Sequence, residues 1–494
     1  MYYNEILDED DRLAYSLIEL FVKRRTDTIS LIDIRDQLQI SDHKLAHIVE
    51  IVEKLALRLN TFSISKSKKA CTLETSPTFS LQDIYREILK TSIGFKLLSE
   101  LVNNPSFSLE SFAERNYLSV RSISRKISGL SDYLNNCHLD MNLRKKVPLL
   151  GDEYFIRYFF QLLYWQIDGP DKAYEQLTSG QIQELNQTLI NDYPYYRKID
   201  RKRWLHYYDF TLKRIRNGFY AEDLPDEILN YKNVCMNLDD FEKKFIMHAA
   251  FPSKMTKNVK DKEIALLYYF FSMITTYSYS ESEELSTRLA EKMEQNADLL
   301  QPFTKMIYKL FRVVLTDSEK VFLMLNLSVI HSKTHVYATK NKTDIYGRST
   351  SDFELAAYFP AYYYKVKNEL LSSTYHGIFQ TIYAENERIF FQYCMLLREI
   401  LENHQSIPFR IFLQSKFGKL QEEWQKRRVI DVISNDICVQ FVEEVQQADL
   451  VLTDYIEKNN DTKENKYHWQ TNPDARDWKY ILEFVTQFQA DFLQ

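Results

Sequence analysis

Residues 106 to 151 read SFSLESFAERNYLSVRSISRKISGLSDYLNNCHLDMNLRKKVPLLG, and their spacing decides the architecture expected around them. Leu109, Phe112 and Ala113 form the apolar face of a short helix that Asn116 and Tyr117 interrupt. Ser119 then follows as a good N-cap. From that cap Ile123, Ile127, Leu130 and Leu134 recur at spacings of four, three and four, the stripe of a helix resting on a core. At 100° per residue, Arg121 and Arg125 lie about 160° from Ile123 on either side. Ser128 shares their outward face, and Ser122 and Lys126 flank it. Two short extended runs then surround Arg144, Lys145 and Lys146, with Pro148 and Gly151 closing the unit. A helix sized for the major groove and a loop with a cationic tip make a winged helix-turn-helix, which docks on double-stranded DNA. The competing reading is a small helical subdomain with a solvated charged face. Gly129, inside the expected helix, costs about 1 kcal/mol against alanine, and nothing in the pattern accounts for it.

At 494 residues the chain should form several domains. Its 45% hydrophobic and 27% charged content lets each bury a proper core. Cys71, Cys137, Cys235, Cys394 and Cys438 lie far apart with no C-x-x-C pair, which argues against a zinc site or a disulfide framework. No apolar run approaches a membrane span and the first residues are acidic, so a cytoplasmic protein with no membrane partner is expected. The nine glycines form no phosphate-binding loop. No cofactor, metal or catalytic residue is expected, and the chain does not read as an enzyme. The net charge of −6 is uneven: residues 61–150 hold 13 Lys and Arg against 8 Asp and Glu, whereas residues 151–494 hold 42 against 49. The positive potential coincides with the motif, as attraction to DNA requires.

The pattern occurs twice. Ile34, Ile40, Ser41, Leu45, Val49 and Val52 stand 78 positions before Phe112, Leu118, Ser119, Ile123, Ile127 and Leu130, which points to two tandem winged helices. The first presents His43, His47, Glu50 and Lys54 where the second has arginines, and Glu50 would repel phosphate. Its candidate DNA contacts are therefore Lys66, Lys68 and Lys69 at the wing tip, with Lys44 on the helix. His43 and His47 have the i, i+4 spacing of metal ligands, but no third ligand is evident. Leu81 to Asn103 should open the second unit as one helix.

After Gly151, helical periods continue to about residue 400 and fit two all-α bundles dividing near residues 275 to 290. His206, His248, His331, His335, His376 and His404 fall there, and each reads more readily as a structural histidine than a reactive one. HSKTH, with His331 and His335, lacks the glutamate of a metalloprotease motif. From Pro408 the character changes. PFRIFLQS, ADLVLTDY and YHWQ read as three strands with a helix after the first and a closing helix after the last, a small α/β domain. The closing stripe of Trp478, Ile481, Leu482, Val485 and Phe488 would pack on its own sheet or on a partner subunit.

NNPSFSLESFAERNYLSVRSISRKISGL followed by GDEYFIRYFFQLLYWQIDG resembles the Mga/AtxA family of transcription regulators of Gram-positive bacteria. The resemblance implies a mainly α, multidomain chain: winged helix-turn-helix units at 1–75 and 76–150, phosphotransferase-system regulation domains at 151–282 and 283–402, and an α/β domain similar to a sugar-transport EIIB subunit at 405–494. It further implies phosphorylation on histidine by sugar-uptake phosphocarrier proteins, with His206 and His376 as the candidate acceptors, and a homodimer formed through the C-terminal domain. EIIB enzymes carry a reactive cysteine after the first strand. Here that place reads LQSKFG, with Ser415, so no phosphotransfer through this domain is expected. The function expected is DNA-binding transcription regulation. A phosphotransfer component and a protein-interaction scaffold are the alternatives, and the scaffold would show no salt-dependent DNA binding.

Overall fold

A computed structural model describes residues 5–104, 106–143, 145, 148–171, 173–233, 235–246, 251–337, 359, 362–372, 387–404, 409–433, 439–455 and 465–492. The chain is mainly helical, with a small sheet at its C-terminal end. It divides into two compact units, residues 1–276 with 331–349, and residues 277–330 with 350–494.

The first unit opens with α1 (Glu9–Arg24), β1 (Thr28–Ser30), α2 (Leu31–Leu38), α3 (Asp42–Leu59) and the hairpin β2 (Phe62–Lys66) and β3 (Ala70–Thr75). The strands form an antiparallel sheet in the order β1-β3-β2, so helix, turn, helix and wing follow in sequence. A second set follows: α4 (Leu81–Thr91), α5 (Ile93–Asn103), α6 (Leu109–Arg115), α7 (Val120–Lys126), α8 (Leu130–Asn136), and the two-residue strands β4 (Asp140–Met141) and β5 (Leu149–Leu150). Serine starts these helices repeatedly. Ser30, Ser41, Ser80, Ser108 and Ser119 each accept a hydrogen bond from the backbone N–H three residues on, a cap worth about 1 kcal/mol against alanine. Both stripes face one core: Ile34, Leu45, Val49 and Val52 are buried, as are Phe112, Ile123, Ile127 and Leu130.

Two expectations change here. Ser92 divides the opening helix of the second set by ending α4 and capping α5. The recognition segment, expected as one helix, is α7 and α8 with Ile127–Gly129 between them. Gly129 is the N-cap of α8, a place where glycine is well tolerated, and this accounts for a residue that a continuous helix would disfavour.

Beyond the second wing come α9 (Glu153–Asp168), α10 (Ser179–Asp192), α11 (Lys198–Arg216), the short α12 (Asp226–Leu229) and α13 (Leu238–Phe241), and α14 (Lys257–Ser272). Their aromatic residues interleave; Tyr207 stacks on Phe270 at 3.5 Å and Tyr158 on Tyr337 at 3.7 Å. A buried ion network crosses this part. Arg157 bonds Glu153 and Glu263, and Arg214 grips Glu153 through both oxygens while donating to the Val102 carbonyl of α5 at 2.7 Å. Charges this deep are tolerated because each is paired and hydrogen-bonded.

The second unit contains α15 (Tyr279–Gln295), α16 (Ala297–Phe311), most of α17 (Asp317–Tyr337), α18 (Tyr363–Leu370) and α19 (Glu387–His404). It ends in β6 (Phe409–Gln414), α20 (Lys419–Ile433), β7 (Val439–Phe441), β8 (Leu450–Thr453), β9 (Lys466–His468) and α21 (Ala475–Phe492). The sheet has four parallel strands in the order β7-β6-β8-β9, one more than the three expected. β7 is three residues long and only half-buried, so it gives no alternation to read. Ile481 and Val485 of α21 are buried in the core of this sheet and Trp478 and Phe488 pack against it, so the closing helix spends most of its stripe on its own domain, with Leu482 left 43% exposed.

Candidate nucleic-acid interface

The exposed side of the second helix-turn-helix is built by α7. Ile123 is fully buried at its inner face, and the helix therefore presents Arg121 and Arg125 to solvent, with Ser122 and Lys126 half-buried beside them. Two guanidiniums one turn apart can each donate to phosphate or to guanine edges. In the adjoining wing Lys145 is exposed, while Arg144 and Lys146 lie outside the described residues. In the first unit Lys66, Lys68 and Lys69 are all exposed around the β2–β3 turn, which Ser67 closes by bonding Ala70. Their charge is available to a phosphate backbone.

Two of the expected contacts are committed elsewhere. Lys126 pairs with Asp8, and Lys44 pairs with Asp10 at 2.5 Å and lies 3.9 Å from Glu9. His47 stands 3.5 Å from the same Asp10. All these carboxylates belong to the cap and first turn of α1, so an acidic turn lies against cations of both recognition helices. Its seat is specific. Ile6 and Leu7 are buried, and a Cβ built on Gly94 of α5 would stand 2.1 Å from the Ile6 carbonyl oxygen; only glycine lets the segment pass there. Burial disfavours the Asp10 carboxylate, but Lys44, His47 and Lys126 outweigh it and hold its pKa below the ordinary value. The hydrogen bond that Lys44 donates to Asp10 raises the pKa of Lys44 in turn. Burial, followed by the neighbouring Asp8 charge, pushes Asp11 up to about 7.

Of the two expected phosphoacceptors, His206 falls within the described residues. His206 is buried, with its ring stacked on Tyr174 at 4.4 Å and set edge-on to Trp165. A phosphoryl donor needs an open ring nitrogen, so this packing works against the acceptor role expected of it. His376 lies outside the described residues, as does His248. In the C-terminal domain Ser415 follows β6 as expected, and two carboxylates occupy its loop. Asp454 accepts from the Ser415 hydroxyl and the Lys416 N–H, and Glu422 accepts from the Ser415 N–H. Backbone amides that could cradle a phosphoryl group are thereby taken.

One residue the sequence reading passed over as a helix breaker is Tyr117. It lies 96% exposed in the turn between α6 and α7 with φ at 53°. A bulky side chain in left-handed backbone was the available signal, and it emerges only with coordinates.

Residues 77–164 match the Mga helix-turn-helix domain, a span running from the approach to α4 into α9 and including α6, α7 and the second wing. The capsule synthesis positive regulator AcpA of Bacillus anthracis is 22% identical over 303 residues, which cover 55% of this chain and 60% of that protein. A helix-turn-helix of that description therefore lies where the arginine pair is displayed, and over that part the chain is similar to regulators of the Mga type.

Proposed function

We propose that the chain is a transcription regulator that binds double-stranded DNA through α7 and both wings. The observation that carries this reading is the display of Arg121 and Arg125 on α7 while Ile123 of the same helix is buried. The matched domain and a relative named as a positive regulator support it. Gel-shift titration tests it. The double variant R121A/R125A should weaken binding by about 10- to 100-fold at low salt and lower the slope of log affinity against log salt by about 2. H43A/H47A should weaken it far less, and the reverse order would refute this division of labour.

Regulation is proposed to enter through the helical regions, 151–282 and 283–402, as phosphotransferase-system regulation domains. Of the two candidate acceptors, the burial of His206 shifts the proposal towards His376. The C-terminal domain is proposed as EIIB-like, supported by its parallel sheet with the first strand interior, and as the homodimer contact. Asp454 and Glu422, seated on the loop after β6, favour a contact role over phosphotransfer.

A further inference from the structure

The two helix-turn-helix units share their turn. Gln39 and Tyr117, 78 positions apart, both have φ of 53°. In each, the next residue donates five positions back, Ile40 to the Arg35 carbonyl at 3.2 Å and Leu118 to the Ala113 carbonyl at 3.0 Å. This is the helix-ending arrangement in which glycine normally occupies the left-handed position. The backbone at 117 therefore favours glycine. Packing does not call for an aromatic either, because the side chain is 96% exposed, and the first unit manages the same turn with glutamine. Tyrosine at this place answers to something outside the fold.

What lies outside is set by the neighbours. Tyr117 sits two residues before the Ser119 cap of α7 and four before Arg121, and Val120 is also exposed at 37%. When a recognition helix enters a groove, the turn leading into it comes close to the flanking phosphate backbone. A phenol suits that position: its ring can lie on a sugar while its hydroxyl donates to a phosphate oxygen.

We propose that Tyr117 is a DNA-contact residue, its hydroxyl donating to a backbone phosphate beside the α7 groove. The inference rests on the reading of α7 as the DNA-facing helix, and the test separates the two. Full-length wild type, Y117F, Y117G and R121A/R125A are titrated by fluorescence anisotropy against a labelled AT-rich duplex over a range of salt. A neutral hydroxyl donor should be worth about 5- to 10-fold in affinity, so Y117F and Y117G should each lose about that much. Their salt slopes should stay at the wild-type value, because no cation is removed. Y117G should melt no lower than wild type, since glycine suits the left-handed turn, and this rules out misfolding as the cause. If both variants bind like wild type while R121A/R125A is impaired, the tyrosine contact is overturned and the α7 reading survives. If Y117F alone binds like wild type, the hydroxyl-to-phosphate bond is overturned. If R121A/R125A binds like wild type, the α7 reading fails and the contact with it.

Discussion

His206 shows how one side chain's surroundings decide between chemistry and packing. Stacked on Tyr174 and set against Trp165, its imidazole is part of an aromatic wall. Replacing it with alanine should cost about 1–3 kcal/mol, read as a drop in melting temperature. H206F, which keeps a flat ring there, should retain most of any label incorporated from phosphoenolpyruvate and the phosphocarrier proteins. Loss of that label in H206F at unchanged stability would make His206 an acceptor after all. Arg121 and Arg125 were legible from spacing alone, because a buried isoleucine two residues from each fixes their direction. The commitments of Lys126 and Lys44 were not: their partners Asp8 and Asp10 stand 118 and 34 positions away, and one-dimensional periodicity carries no information about such pairs.

At the scale of elements, the first turn of α1 acts on α3 and α7 together. It neutralises one lysine on each, and those cations would otherwise face the polyanion. D8N/D10N should therefore bind a duplex more tightly at low salt and show a salt slope steeper by up to about 2. Asp8 also caps α1, but asparagine caps nearly as well, so the helix should persist. Unchanged affinity and slope, measured by anisotropy, would mean that Lys44 and Lys126 never reach the phosphates. Element existence was largely readable: the serine caps and the two stripes located α2, α3, α6 and α7. Breaks and short strands were not. Ser92 divides α4 from α5 within an unbroken apolar rhythm, Gly129 resets the helix without disturbing the spacing of Ile127 and Leu130, and β7 is too short to alternate.

At the scale of the molecule, the proposed contact with a second copy is the C-terminal domain. Apart from Leu482, the stripe of α21 is consumed by its own sheet, whereas Phe417, Leu420 and Trp424, at and near the start of α20, are 65%, 87% and 44% exposed. The same helix carries Glu422 and Glu423 before Lys426, Arg427 and Arg428, an order that matches a copy of itself only when the two run antiparallel, as a two-fold axis requires. L420Q/W424Q should convert a dimer to a monomer in sedimentation velocity with little change in melting temperature. A variant that remains dimeric would place the contact elsewhere. Pairing also bears on a limit set by α7, which is only seven residues long. At about 1.5 Å per residue it spans about 10 Å, or roughly three base-pair steps. A word of three letters from an alphabet of four recurs by chance about once in 64 positions. One such reading head cannot single out an address in a genome, so selectivity has to come from counting: several heads held at fixed intervals, on a duplex whose stiffness decides where they can all land at once.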